Sequence, residues 1–260
     1  MKKIKLIITS IFLMLLANTT ANSQVLISLL LGDKLNSPNL EFGADGGINW
    51  LNMSNTAKSL VDNTNSTYLR SWNLGFYFDF KFKKHPGIYI HTGALVKSKM
   101  GCADLAPYTV NNADSINIAN VFNGGNVDRN INYFNIPVLL RYDFYKGFFV
   151  GGGTQIGIRY SAFDLFQKSV TNSDDLNYSY ETNDNYTRLD AGAVVTIGYK
   201  FHSSPGMTIH LDYYYGLADV NKTLSGTQSN SAFYVCASFP VGKKKAAKEA
   251  ASKAVQEKAK

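Results

Sequence analysis

Residues able to do acid–base, nucleophilic or metal chemistry are sparse in this sequence. Its four histidines are His85, His91, His202 and His210, and no two stand four residues apart or in an HExxH frame. His85 and His202 fall at turns. His91 and His210 fall on the polar side of strand-like segments and read as members of a charge network. Cys102 and Cys236 lack the paired spacing of a metal site, and with Cys102 in a long connection and Cys236 near the opposite end of a strand they would stand too far apart for a disulfide. No GxSxG, Walker or GxGxxG pattern occurs, and Gly151-Gly152-Gly153 lies inside a strand pattern, where it marks close backbone approach. Asp174, Asp175, Glu181 and Asp184 could offer oxygens to Ca²⁺, without EF-hand spacing. We expect no catalytic residue, no resident metal and no cofactor.

The charges that do form a pattern alternate with large apolar side chains. At 72–82, Trp72, Leu74, Phe76, Phe78, Phe80 and Phe82 share one side of a period-two segment, and Asn73, Gly75, Tyr77, Asp79 and Lys81 share the other. The same alternation recurs at 40–50, 88–97, 134–144, 148–160, 188–201, 207–217 and 231–239, making eight strands. Their polar sides collect six cations, Lys81, Lys97, Arg141, Arg159, Arg188 and Lys200. Six anions match them: Glu41, Asp45, Asp79, Asp143, Asp190 and Asp212. An evenly matched set suits a narrow interior, because charges withdrawn from water must be paired.

Strands of about ten residues match the ~9–11 that a tilted strand needs to cross a bilayer. Long polar connections (51–71, 98–132, 161–186, 218–230) trade places with tight turns at 83–87, 145–147 and 202–206. That asymmetry is expected of an outer-membrane barrel. The expected fold is therefore all-β: an eight-stranded antiparallel up-and-down transmembrane β-barrel, with a C-terminal Lys/Ala-rich tail. Eight strands leave a lumen only wide enough for side chains, so we expect it to be plugged. Trp50, Trp72 and Tyr160 at the loop end, and Phe82, Phe144, Phe201 and Phe239 at the turn end, would form the interface girdles. Pro137 cannot donate to a ladder, so a bulge or missing bond is expected there, unless 133–137 is loop above the sheet. The competing reading is a soluble lipocalin-type barrel, which would turn the apolar side inward. Uniformly large apolar residues on one side, and glycines on the other, favour the membrane.

The ends read differently. Residues 1–23 carry Lys2, Lys3 and Lys5, an apolar run from Leu6 to Ala17 and small residues at 21 and 23, the pattern of a cleaved signal peptide. A membrane anchor would need a longer apolar run. Residues 24–39 lead into a barrel at 40–240, and 241–260 form a periplasmic Lys-rich tail. The net charge is +7, of which the three N-terminal lysines supply +3 and residues 243–260, with seven Lys and two Glu, supply +5. The body between them carries −1, which removes the case for nucleic acid. Aromatic residues make up 13% of the chain and charged ones only 17%, unlike a disordered protein or an average cytosolic enzyme.

Several stretches carry a family likeness: Leu-Glu-Phe-Gly-Ala-Asp-Gly-Gly-Ile-Asn (40–49), Trp-Asn-Leu-Gly-Phe-Tyr-Phe (72–78), His-Thr-Gly-Ala-Leu-Val-Lys-Ser (91–98), Tyr-Phe-Asn-Ile-Pro-Val-Leu-Leu-Arg-Tyr (133–142) and Arg-Leu-Asp-Ala-Gly (188–192). Across about 40–240 the chain resembles the PorT-type outer-membrane β-barrel family of the Bacteroidetes. It departs from that family at Asn135, where a Glu is frequent, and in its lysine tail. The resemblance implies an outer-membrane location, contact with lipid and an accessory link to an envelope or secretion complex. Asp114-Ser115-Ile116 resembles the O-glycosylation sequon of that group. Two functions follow for testing: a non-enzymatic barrel with partner-binding loops, or a small-solute channel or transport accessory. An envelope hydrolase would need a catalytic pair at one rim, and none can be named.

Overall fold

The computed structural model describes residues 36–37, 39–55, 66–108, 118–171, 174–201, 206–223 and 226–241. The signal-peptide segment, the 114–116 sequon and the lysine tail from 242 onward lie outside these residues. Nine strands are described: β1 (Leu40–Asn55), β2 (Leu69–Phe82), β3 (His85–Leu105), β4 (Asn126–Tyr145), β5 (Phe148–Lys168), β6 (Leu176–Glu181), β7 (Leu189–Lys200), β8 (Thr208–Gly216) and β9 (Gln228–Pro240). A single helical turn, α1 (Ile118–Val121), precedes β4.

Eight strands close into a ring, all neighbours antiparallel. The order runs β1, β2, β3, β4, β5, β7, β8, β9, and β9 pairs back with β1 from Gly43↔Pro240 to Asn55↔Gln228. Closure removes the free edges that an open sheet of this length would expose. The ninth strand is outside the ring. β6 pairs only with the far end of β5, from Phe163↔Glu181 to Lys168↔Leu176. The β4–β5 turn is tight because Lys146 (φ 41°) and Gly147 (φ 96°) both take positive φ, the backbone that a two-residue hairpin with native twist requires.

Period two in the sequence becomes two faces of the sheet. On β7, Leu189, Ala191, Ala193, Val195 and Ile197 are exposed while Asp190, Gly192, Val194 and Thr196 are buried. On β4, Val138, Leu140, Tyr142 and Phe144 are exposed opposite buried Leu139 and Arg141. The apolar side therefore faces outward and the charged side faces in, the reverse of a lipocalin-type barrel. Phe42 is a buried exception on the outward side, packed 5.0 Å from Phe78.

Two bulges reverse the alternation partway up. In β3 the register moves from Leu95↔Asn135 to Ser98↔Tyr133, so β3 holds one residue more than its partner. His91 and Leu95 are inward below the bulge; Ser98, Met100 and Cys102 are inward above it. In β5 the register moves from Tyr133↔Arg159 to Asn132↔Ser161, with Tyr160 as the extra residue. Such an insertion exchanges the faces of everything beyond it. Pro137 stays in the sheet. It pairs with Gln155 on β5, but on the β3 side the register passes from Thr92↔Val138 to Leu95↔Asn135 without pairing it, and Thr92 Oγ1 donates to the Pro137 carbonyl at 2.8 Å.

The outer connections are shorter than the sequence suggested. Residues 98–105, 126–132 and 161–168 are strand, so β3, β4 and β5 rise as a ribbon beyond the ring and β6 widens it. Its inward side buries Met100, Cys102, Leu105, Val127, Ile131, Ala162 and Phe166, with Ile118 and Phe122, in a core continuous with Leu51, Met53, Tyr186 and Val220. This cap, unlike a set of mobile polar loops, has an apolar interior of its own.

Candidate functional site

Two buried polar systems lie along the barrel axis, one in the lumen and one under the cap. At the turn end, Lys200 Nζ donates to Glu41 Oε1 at 2.8 Å, and Lys81 Nζ stands 3.9 Å from Glu41 Oε2. Tyr77 Oη donates to the same carboxylate at 3.1 Å. Deeper in, His91 Nδ1 is 2.7 Å from Asp79 Oδ1, and the Arg141 guanidinium lies over the Phe149 ring at 4.8 Å. His210 Nδ1 is 3.0 Å from both oxygens of Asp212. Toward the loop end, Tyr214 Oη and Asn230 Nδ2 donate to opposite oxygens of Asp190 at 2.8 and 2.7 Å.

These groups face inward because each sits on the buried parity of its strand, and large side chains fill the space between them. Arg141, Tyr77, Tyr133, Tyr214 and Phe149 are all fully buried. One cavity, walled by Asp45, Asn73, His91, Asp212, Tyr234 and Cys236 among others, has a volume of only about 20 Å³. That holds about one water. A lumen packed this way is a core: most of its carboxylates meet a cation, an imidazole or a hydroxyl, while Arg141 Nε and Nη2 and Asp143 Oδ1 are buried without a hydrogen-bond partner.

Nine of the twelve residues expected in the lumen network are there: Glu41, Asp45, Asp79, Lys81, Arg141, Asp143, Asp190, Lys200 and Asp212. Three are not. Lys97 lies above the β3 bulge on the outward side, its Nζ 3.7 Å from the centroid of the Trp72 ring. Arg159, beside the β5 bulge, spends its guanidinium on the rim, donating to the carbonyls of Thr187 and Tyr186 and to Asn183 Oδ1. Arg188 precedes β7 and is exposed. The matched six-against-six count therefore fails inside the lumen. His91 and His210, expected in the network but not counted among its six cations, stand against the surplus carboxylates.

Of the expected girdle residues, Trp72, Phe82, Phe144, Tyr160 and Phe239 are exposed on the outer surface, and Trp50 and Phe201 are half-buried. Trp50 packs on Phe233 at 6.0 Å, and Phe201 on Tyr199 at 5.0 Å. The four carboxylates considered for Ca²⁺ do not converge. Asp174, Asp175, Glu181 and Asp184 are exposed along and beside β6, and the one metal-compatible group among the described residues lies elsewhere.

The sequence reading missed the second system altogether. Under the cap, Arg129 Nη2 donates to Asp164 Oδ2 at 2.8 Å and Nε to Oδ1 at 3.1 Å, while Tyr108 Oη donates to Asp164 Oδ2 at 2.7 Å. Burial and the adjacent Asp164 carboxylate push the Tyr108 phenol well above its ordinary range. The available signal was the alternation Val127, Arg129, Ile131 against Ala162, Asp164, Phe166, hidden in segments whose flanks are polar. Cys102 is likewise buried in this core, and both cysteines are free.

No curated protein matches the sequence. Among solved structures, Ail, the attachment invasion locus protein of Yersinia pestis, aligns at 12% identity and TM-score 0.37, over 78% of this chain and 99% of that one. Neisserial surface protein A aligns at 9% identity and TM-score 0.37, over 77% and 96%. The toluene transporter TbuX of Ralstonia pickettii aligns at 11% identity and TM-score 0.28, over 79% and 64%. The family model described as outer membrane protein beta-barrel domain matches residues 33–222. An eight-strand ring with its apolar side outward, and a family match across most of the sequence, give one conclusion: the chain belongs to the outer-membrane β-barrel domain family.

Proposed function

We propose that the protein is a non-enzymatic, closed barrel of the bacterial outer membrane, whose loop-end cap presents a rigid surface to a partner in the cell envelope. The observation that carries this reading is that both ends of the axis are filled. The lumen is occupied by interlocked ionic and aromatic side chains, and the cap above it has its own apolar core sealed around Arg129 and Asp164. A transport path would require that core to open. A docking surface requires it to stay shut, since binding to a preorganised element loses less conformational entropy.

The resemblance to PorT-type barrels supports an accessory role in an envelope or secretion complex. The N-terminal pattern supports export through a cleaved signal peptide. Exposed Trp72 and Tyr160 toward the loop end, and Phe144 and Phe239 toward the turn end, support a membrane span between them, since aromatic belts mark lipid interfaces.

The experiment is conductance in planar bilayers of protein shown to be folded by heat-modifiable migration on gels. Essentially no single-channel current is expected. Stepwise, reproducible conductance from the folded form would overturn the closed-barrel reading in favour of a small-solute channel.

A further inference from the structure

Three side chains with no sequence motif between them meet inside the lumen. Asp45 is on β1, His210 on β8 and Cys236 on β9, and the closing register of the ring makes those strands neighbours: His210 pairs with Cys236, and Asp45 with Ser238. All three side chains are buried, and their ligand atoms lie within 4.8 Å of one another. His210 Nε2 is 3.3 Å from Asp45 Oδ1. That is the separation of two ligands on one tetrahedral ion, given bonds of about 2.0–2.1 Å.

The imidazole is oriented for this task from behind. Both oxygens of Asp212 stand 3.0 Å from Nδ1, so the N–H on that nitrogen donates to the carboxylate. Nε2 is then aimed at Asp45 and Ser238. A carboxylate holding the far nitrogen of a metal-binding histidine is a recurrent arrangement, because it fixes the tautomer and raises the basicity of the ligating nitrogen. A neutral imidazole in this pose turns a lone pair toward the Asp45 carboxylate. Two acceptors at that distance need a cation between them, either a proton or a metal ion.

Two further observations favour the metal ion. A thiol adds nothing to a proton-bridged Asp–His pair, whereas thiolate, imidazole and carboxylate together form a donor set suited to Zn²⁺. The cavity of about 20 Å³ also borders this cluster. Asp45, Asp212 and Cys236 are in its wall, and it has room for the water that would complete four-coordination.

We propose that Asp45, His210 and Cys236 form a buried binding site for a divalent transition-metal ion of the Zn²⁺ class, with Asp212 positioning the histidine. Binding releases the thiol proton of Cys236 and involves no redox change. The ion's two positive charges are balanced by the thiolate and the Asp45 carboxylate. The packed lumen gives an ion no path in once the ring is closed, so it is captured as the strands assemble.

The test refolds the full chain in detergent with Co²⁺ or Zn²⁺ present, removes loose metal with a chelator, and measures bound metal and the optical spectrum. Folding is checked separately by heat-modifiable migration. The expected result is one metal per folded barrel and, with Co²⁺, a thiolate-to-cobalt charge-transfer band. Cys236→Ser should abolish that band and weaken retention at least tenfold, whereas Cys102→Ser should leave both unchanged. Should Cys236→Ser fail to fold, the wild-type cobalt spectrum decides alone. Folded protein without stoichiometric metal, or a thiolate band that survives Cys236→Ser, overturns the proposal and leaves a proton-bridged ion pair. Neither outcome bears on whether the lumen conducts.

Discussion

The guanidinium of Arg129 and the carboxylate of Asp164 face each other across the β4–β5 ladder under the cap, 2.8 Å apart at their closest atoms and both removed from solvent. Their strand positions pair directly, so the contact follows from register without help from a loop. A buried pair of this kind contributes little beyond what apolar replacements would, but removing one partner strands the other charge.

Asp164→Ala should therefore destabilise the cap by about 3–5 kcal/mol, and Arg129→Ala by a similar amount. The double replacement Arg129→Met with Asp164→Leu should cost much less than the two single losses together. Limited proteolysis of the folded barrel, scored for cleavage within 98–132 and 161–186, separates these outcomes. A Asp164→Ala protein as resistant as wild type would mean that the pair does not hold the cap.

The outward side of the sheet gives a depth-resolved prediction. Leu140 is exposed on β4 between Phe134 and the turn-end Phe144, whereas Lys97 stands near the loop end with its ammonium over the Trp72 ring. Replacing Leu140 with Arg should cost about 2–4 kcal/mol in vesicle-folding equilibria, and Trp72→Arg about 0–1 kcal/mol. Equal costs at the two sites would argue against a membrane whose midplane crosses β4 at Leu140.

The outward face, the lumen residues below the bulges and the ring itself were legible in the sequence because period two survives a point-by-point reading. What hid the rest was local. A bulge adds one residue without any side-chain signature, so Lys97 was placed on the wrong side and the charge count inside the lumen came out too balanced. The cap was hidden because its inward residues alternate with asparagines, serines and aspartates that also typify loops, as in Asn130, Asn132 and Ser161. The Asp45–His210–Cys236 cluster was invisible because contacts between the first strand and the last two exist only once the ring has closed.

Close packing inside the lumen yields a further prediction at β1. Gly43 lies against the Tyr77 ring, and a methyl group there would come 2.4 Å from a Tyr77 ring carbon and 2.4 Å from the Phe239 carbonyl. The second neighbour is backbone and cannot turn aside. Gly43→Ala should destabilise the barrel by about 1–3 kcal/mol and disturb the Tyr77–Glu41 hydrogen bond. A reduced unfolding midpoint in denaturant titrations of detergent-refolded protein is the measurement. Tyr77→Phe, which keeps the ring but removes the hydroxyl, should leave the Gly43→Ala penalty in place, since the collision is with ring and backbone atoms.

The cap should also be sensitive to alkaline pH. The Tyr108 phenol is pushed up first by burial and then by the Asp164 carboxylate beside it, with Arg129 acting in the opposite direction and Tyr186 adding to the rise. A folded-state pKa raised above the unfolded value of 10.0 means that the folded cap favours the protonated phenol. The associated stability is complete below pH 10 and declines as pH rises above it, because the unfolded segment releases the proton first. Protease resistance of the cap should therefore fall as pH climbs past about 10. Tyr108→Phe has no proton to lose at this position, so its resistance should start lower, lacking the bond to Asp164, and fall less steeply. Parallel alkaline profiles for the two proteins would show that Tyr108 is not the group being titrated.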